Sequence, residues 1–391
     1  MTQPAVISLT EYQPREFAAA TIPPELGEAL WRNFGRQVAV EFPSPKTARR
    51  WRLTGQGWAG YIPLAPELHL LLQPKAPLAN LFGMLEYAYR LDLQTLPGLM
   101  QSESLPEFFE RLAHVLARRV LDRLRQGLYR AYLPRQERLA VVRGRLDGPQ
   151  LARAPWSVAL PCQFEEHTTD VADNQILLYT LWLLARVVQR ADVRRAVLGA
   201  VRALHGPVSL RPVSAAECVG RLYHRLNEDY QPLHALCRFF LEQLGPGHRP
   251  GERHMLPFLV DMARLFELFV AAWLGDHLPP PWRVKPQERM TAGEVQFQID
   301  LVLYDAATGQ PRAVLDTKYK LADKPSNPDI YQIVAYAKAK QVREALLVYP
   351  APLARPLDAR WDDIRVRSVV FDTGAALAAA GELFLAQVMF A

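Results

Sequence analysis

Cysteine is scarce in this chain of 391 residues, which has only Cys162, Cys218 and Cys237. Three thiols spaced so far apart cannot make the disulfide framework of a small secreted scaffold, which points to a reducing compartment. A G-x-x-x-x-G-K-[ST] loop, the backbone cradle that NTPases build for phosphates, is absent, so the chain is not expected to hydrolyse nucleotides itself. The first residues, MTQPAVISLTEYQPREF, lack the charged-then-apolar order of a signal peptide. The longest apolar run, Ile176 to Ala185, ends at Arg186 and is too short to cross a bilayer. The chain therefore reads as soluble and cytoplasmic, with no membrane partner. Charge of one sign is also in short supply. With 46 Lys and Arg against 40 Asp and Glu, the formal +6 permits contact with nucleic acid without requiring it.

Apolar residues are plentiful, at 50% of the chain, which is enough to bury several cores and too long a chain for one ordinary domain. Residues 1–76 read as β-rich, with short alternating or apolar runs at 5–9, 37–42, 49–53, 57–63 and 67–73. Within them Trp51, Trp58 and Tyr61 either stack on exposed bases or pack an ordinary sheet core. Residues 77–247 read as mainly helical, with helices expected at 78–89, 105–132, 174–189, 193–205 and 215–244. The segment 137–146, ERLAVVRGRL, reads as a strand entering a Gly turn. Cys218, His224, His234 and Cys237 are metal-ligand types, but their spacing matches no compact zinc pattern. The Gly- and Pro-rich stretch 245–257 marks a boundary, after which residues 255–391 form a last domain.

That last domain holds the chemistry. From Val295 to Leu303 odd-numbered apolar residues alternate with Gln296, Gln298 and Asp300, the period of a strand with one face in a core. A Gly-containing turn at 306–311 follows, and 312–319 alternates again with Val314, Asp316 and Lys318 on one face. A symmetric hairpin pairs Tyr304 with Arg312, Val302 with Val314, and Asp300 with Asp316. Like charges directly opposite one another repel, so this choice is costly unless a cation sits between them. Hard carboxylate oxygens suit Mg²⁺, with Mn²⁺ as a substitute, and Mg²⁺ keeps waters and takes substrate phosphate. Lys318 would face the same spot and hold or help deprotonate an attacking water. Upstream, Glu267 sits inside the apolar helical run DMARLFELFVAAWL, where an unpaired carboxylate is costly. Downstream, Gln332 and Tyr336 share a face of the helix DIYQIVAYAKAK by their i, i+4 spacing.

Asp300 with Asp316-Thr317-Lys318 resembles the PD-(D/E)xK nucleases, except that Ile299 stands where the family usually has Pro. The segments LFELFV, QIDLVLYD, LDTKYK and DIYQIVAYA, with GYIPL, VRGRLD and CQFEEHTTDVADNQILLYTL upstream, are similar to the McrC family, the endonuclease subunit of modified-cytosine restriction systems. The resemblance implies an α+β multidomain chain with a β-rich N-terminal domain, a helical middle region and a C-terminal PD-(D/E)xK domain. It implies Glu267, Asp300, Asp316, Lys318, Gln332 and Tyr336 as catalytic residues, with metal at Asp300, Asp316 and Thr317. It further implies cleavage of double-stranded DNA and docking on an McrB-type AAA+ GTPase hexamer whose GTP hydrolysis the chain stimulates. A stand-alone nuclease and a non-catalytic GTPase activator are the alternatives.

Overall fold

The computed structural model describes residues 5–65, 67–91, 104–154, 156–244, 257–292, 295–320 and 322–389. The chain opens with β1 (Ala5–Thr10), β2 (Pro14–Ala18), α1 (Pro24–Phe34), β3 (Val38–Glu41), β4 (Arg50–Gly55), β5 (Trp58–Ala65), β6 (Leu68–Gln73) and α2 (Leu78–Tyr89). Next come α3 (Leu105–Gln126), β7 (Ala131–Leu139), β8 (Arg145–Leu146), α4 (Gly148–Arg153), β9 (Leu160–Thr168), α5 (Ala172–Val187), α6 (Ala191–His205) and α7 (Tyr230–Gln243). The last stretch has β10 (Phe258–Asp261), α8 (Met262–His277), β11 (Trp282–Ala292), β12 (Val295–Asp305), β13 (Pro311–Thr317) and α9 (Asn327–Lys340). It ends with β14 (Glu344–Tyr349), β15 (Asp358–Trp361), β16 (Ile364–Val370) and α10 (Leu377–Met389). Several sheets and helices thus make a mixed α and β multidomain chain. Two compact units result, one from Met1–Phe108 with Gln243–Ala391 and the other from Phe109–Glu242. The expected boundary at 245–257 lies, apart from Pro257, outside the described residues.

In the first unit a four-stranded sheet runs β1-β6-β5-β10, with β1 and β6 parallel. Its last strand comes from far along the chain, and Gly60 makes room for it. A Cβ at Gly60 would lie 2.1 Å from the Phe258 carbonyl oxygen, and its φ of 141° suits glycine alone. A smaller antiparallel sheet, β2-β4-β3, shares a core that includes Leu9, Leu30, Val38 and Trp51. Trp51 is 2% exposed and its indole N–H donates to the carbonyls of Ala19 and Ile22, so it packs the core and stacks on nothing outside. Helix α1 interrupts what reads as a run of strands. Its Pro24 at the first helical position and amphipathic turns are enough to specify it.

The six-stranded sheet of this unit runs β11-β12-β13-β14-β16-β15. The first three strands are antiparallel neighbours, while β13, β14 and β16 run parallel. Val302, Val314, Leu347 and Tyr349 pack against Ile333 and Ala337 of α9. Leu301, Leu315, Leu346 and Val348 alternate with them onto the other face and are also fully buried. A central strand with both faces covered is apolar throughout, which is why β12 departs from simple alternation at Val302. Val302 does pair with Val314, but Tyr304 pairs with Pro311 across a register shift and not with Arg312. The reason is the turn. Asp305 accepts from the Ala307 N–H and binds Arg312 at 3.1 Å, which draws Arg312 out of the ladder.

The second unit is less helical than its sequence suggests, because β7, β9 and β8 form a three-stranded sheet. Helix α3 stops at Gln126, not at Tyr132, since Gly127 takes φ 98° and the chain then extends into β7. The expected helix over 215–244 is a 3₁₀ turn at Ala215–Cys218 followed by α7, and 219–229 is not helical. In the VRGRLD segment a Cβ on Gly144 would lie 2.3 Å from the Gln163 carbonyl oxygen, so that glycine lets β8 approach β9. The Arg143 guanidinium lies 4.1 Å over the Phe164 ring.

Candidate active site

Strand β13 is driven into the sheet by Val314 and Leu315, and this carries Asp316 to 2% exposure. Asp316 follows Leu315, which pairs with Leu301, and the β12–β13 ladder ends at that pair, so Asp300 and Asp316 lie just beyond it and do not pair in the ladder as the symmetric hairpin has them. The Thr317 N–H and hydroxyl both donate to Asp300 Oδ2 at 2.9 Å. Two charge-assisted hydrogen bonds fix that carboxylate and tie the Thr317 side chain to it. Asp316 Oδ2 is buried and lies 2.5 Å from Lys318 Nζ, a close ion pair. Burial first, then the Asp300 charge, push the Asp316 carboxyl up to about 7 against the pull of Lys318.

Lys318 is held by more than Asp316. Its ammonium donates to Gln332 Oε1 at 2.9 Å, and Gln332 Nε2 donates to the Tyr336 hydroxyl at 2.7 Å. Asp329 Oδ1 lies 4.0 Å away. Burial works against the charge on Lys318, but Asp316, Asp329 and Asp300 together outweigh it and hold its pKa above the ordinary lysine value. Lys318 is therefore an ammonium that can bind an oxygen or orient a water.

Glu267 comes from α8, which starts directly from β10 with Asp261 as its N-cap, accepting from the Arg264 N–H at 3.1 Å. Gln287 donates to Glu267, and Gln298 donates to Gln287. Gln287 belongs opposite Asp300, between the pairs Pro286↔Leu301 and Glu288↔Ile299, yet that pair is missing from the ladder. Its φ of 52° explains the gap, because a left-handed residue cannot keep strand hydrogen bonding. Burial and the nearby Asp300 charge push the Glu267 carboxyl up to about 7, with Arg264 opposing.

The structure thus brings Asp300, Asp316, Thr317, Lys318, Gln332 and Tyr336 together, and sets Glu267 within electrostatic reach of both aspartates. Among the described residues no group of three or more His, Cys, Asp or Glu side chains converges closely enough to hold a metal by itself. Asp300 and Asp316 make a two-carboxylate set of hard oxygens, the kind Mg²⁺ would take along with waters and phosphate. Sequence reasoning missed Gln287, because no pattern announces a left-handed residue inside a strand. It also missed Lys320 and Asp329, joined at 2.5 Å, although Ser326 and Asp329 form a capping box that was there to be read. Among the described residues, the Cys and His set of the second unit does not converge into a group that could hold a metal. His234 Nδ1 accepts from the Tyr223 hydroxyl at 2.9 Å and Nε2 donates to the Asp173 carbonyl at 3.1 Å. Burial pushes the Cys218 thiol up to about 12.

A family profile described as McrBC 5-methylcytosine restriction system component matches residues 53–350. No curated protein matches significantly. Among solved structures, the chain is similar to one in a refined half-complex from a tetradecameric assembly of Thermococcus gammatolerans McrB AAA+ hexamers with bound McrC. The TM-score there is 0.57 at 16% identity, covering 99% of this chain and 100% of that one. A chain in a cryo-EM structure of the Thermococcus gammatolerans McrBC complex is also similar, with a TM-score of 0.44 and 19% identity over 69% of this chain and 87% of that one.

Proposed function

The chain belongs to the McrBC 5-methylcytosine restriction system component family, and on that premise we propose that it is the endonuclease subunit of such a system. In this reading the C-terminal part is a PD-(D/E)xK domain that cuts double-stranded DNA with Mg²⁺, for which Mn²⁺ can substitute. The observation that carries it is the convergence of Asp300, Asp316 and Lys318 at one end of a sheet, two acids and one cation. The order α8, β11, β12, β13, α9, β14 supports it, being helix, three strands, helix, strand.

Asp300 and Asp316 would hold the metal, with Thr317 keeping Asp300 in place, and the bound metal would neutralise charge on the scissile phosphate. Lys318, anchored by Gln332 and Tyr336, holds its ammonium where it can bind a phosphate oxygen or orient the attacking water. Glu267 is kept in range by Gln287.

The partner in this reading is an McrB-type AAA+ GTPase hexamer, whose GTP hydrolysis the chain stimulates. Supporting it, the loops at one end of the β7-β9-β8 sheet expose Val141, Val142, Trp156 and Val158, the last two at 80% and 92%. Large apolar side chains left together in water mark a surface that another protein covers. No helix among the described residues is long and apolar enough to cross a membrane. The test is cleavage of a modified-cytosine plasmid by the chain with its GTPase partner. Mg²⁺ and Mn²⁺ should support cutting and Ca²⁺ should not, and undiminished cutting in excess EDTA would overturn the reading.

A further inference from the structure

Lys318 still belongs to the ladder with β14, its N–H donating to the Val348 carbonyl at 2.8 Å. Two residues later the Lys320 N–H donates back to the Lys318 carbonyl at 2.8 Å, an i to i+2 turn centred on Tyr319. Tyr319 anchors that turn. Its ring lies 5.8 Å from Phe266 of α8, centre to centre, and its hydroxyl donates to Glu11 Oε2 at 3.2 Å. The residues on either side of it meet on one carboxylate, since Asp329 Oδ2 lies 2.5 Å from Lys320 Nζ and Asp329 Oδ1 lies 4.0 Å from Lys318 Nζ.

Lys320 is more than the partner of a buried acid. Asp329 already accepts from the Ser326 hydroxyl at 2.7 Å and from the Ser326 N–H at 3.4 Å in the capping box that starts α9. An ammonium carries three N–H donors, and among the described residues Asp329 is the only acceptor that Lys320 Nζ reaches. The Lys320 side chain is 38% exposed, against 17% for Lys318, whose ammonium is taken by Asp316 and Gln332. Lys320 therefore presents donors to solvent at the edge of the site.

Charge indicates what those donors can take. Glu267, Asp300, Asp316 and Asp329 gather around Lys318 and Lys320, an acidic excess that repels DNA unless cations offset it. The metal proposed above would offset part of it at the reacting phosphate, and an open lysine does the same for a neighbouring phosphate. We propose that Lys320 binds a backbone phosphate next to the one that is cut, and that Asp329 is the positioning residue that keeps Lys318 and Lys320 side by side. That the neighbouring phosphate is the reacting one rests on the nuclease reading, whereas phosphate binding by Lys320 does not.

The experiment measures anisotropy of a short labelled duplex on the full-length chain over a range of salt, with Ca²⁺ in place of Mg²⁺. Lys320→Gln should weaken binding and reduce the salt slope by about 1, the signature of one lost phosphate contact. Lys320→Ala gives the same reading if Lys320→Gln does not fold, and Lys320→Arg should keep the wild-type slope. Asp329→Asn removes a negative charge yet leaves an acceptor for Ser326, so binding should hold or tighten. Its rate of cutting in Mg²⁺ at saturating duplex should nevertheless fall roughly tenfold or more, because the lysines lose their alignment. An unchanged slope in Lys320→Gln, a slope lost equally in Lys320→Arg, or no binding by the wild-type chain overturns the role of Lys320. Wild-type cutting by Asp329→Asn overturns the positioning role and leaves Asp329 as a helix cap. The expected slopes without any metal-dependent cutting sink the nuclease reading alone, and cutting retained with an unchanged slope sinks the phosphate contact alone.

Discussion

Lys318 Nζ stands 2.5 Å from Asp316 Oδ2, so a buried acid and a half-buried amine neutralise one another at the end of β13. A cation that displaced the ammonium from Asp316 would free it to face the substrate, still tethered by Gln332. If Gln332 is that tether, Gln332→Ala should lower cleavage about tenfold or more while the thermal midpoint stays within a few degrees, since the side chain lies on an exposed helix face. Unchanged cleavage would remove Gln332 from the site.

The two high carboxyl pKa values set a pH dependence of stability. Asp316 and Glu267 both titrate near 7 when folded, well above their unfolded values. The stability they allow is fully present below about pH 4 and is lost as pH rises through 7, because the folded chain must then keep buried charge. The loss is on the order of 1–3 kcal/mol after allowing for solvent around Glu267. In EDTA the thermal midpoint should fall by several degrees between pH 5 and pH 8, and Asp316→Asn should flatten the fall. A rising midpoint over that window would contradict the burial argument.

Gln287 tests whether Glu267 needs to be held. Gln287→Asn keeps a residue that tolerates the left-handed backbone but shortens the side chain beyond reach of Glu267. Cleavage should fall about 10-fold to 100-fold, as for groups that orient ligands, and partly recover at higher Mg²⁺. Full activity at low Mg²⁺ would show that Glu267 is placed by α8 alone.

Gly60 tests the route by which α8 is placed. An alanine there meets the Phe258 carbonyl oxygen at 2.1 Å, so β10 must leave the four-stranded sheet or the sheet must distort. Gly60→Ala should cost roughly 2–4 kcal/mol of stability, readable in denaturant. An unchanged midpoint would mean that β10 does not pair with β5.

How much of this was legible depended on the distance between cause and effect along the chain. The hairpin pairing of Val302 with Val314 and the shared face of Gln332 and Tyr336 follow from local periodicity, and both are as the spacing has them. The ionised state of Lys318 was not legible, because it depends on Asp329 and on burial created by strands remote in sequence. Neither was Gln287, whose left-handed backbone breaks the local rule for a strand at the point where it meets Asp300. The entry of β10 into an N-terminal sheet is a non-local pairing with a single sequence trace, Gly60, whose meaning appears only once Phe258 lies against it.

In the proposed division of labour the β12–β13 hairpin does the chemistry and partner stimulation resides elsewhere. The most direct measurement runs plasmid cleavage and GTP turnover side by side, with the McrB-type partner and equal concentrations of the wild-type and Lys318→Ala chains. Cleavage should fall by roughly a thousandfold or more, the loss of several kcal/mol of transition-state stabilisation, while GTP turnover stays near the wild-type level. A folded Lys318→Ala chain that cuts at the wild-type rate would contradict it.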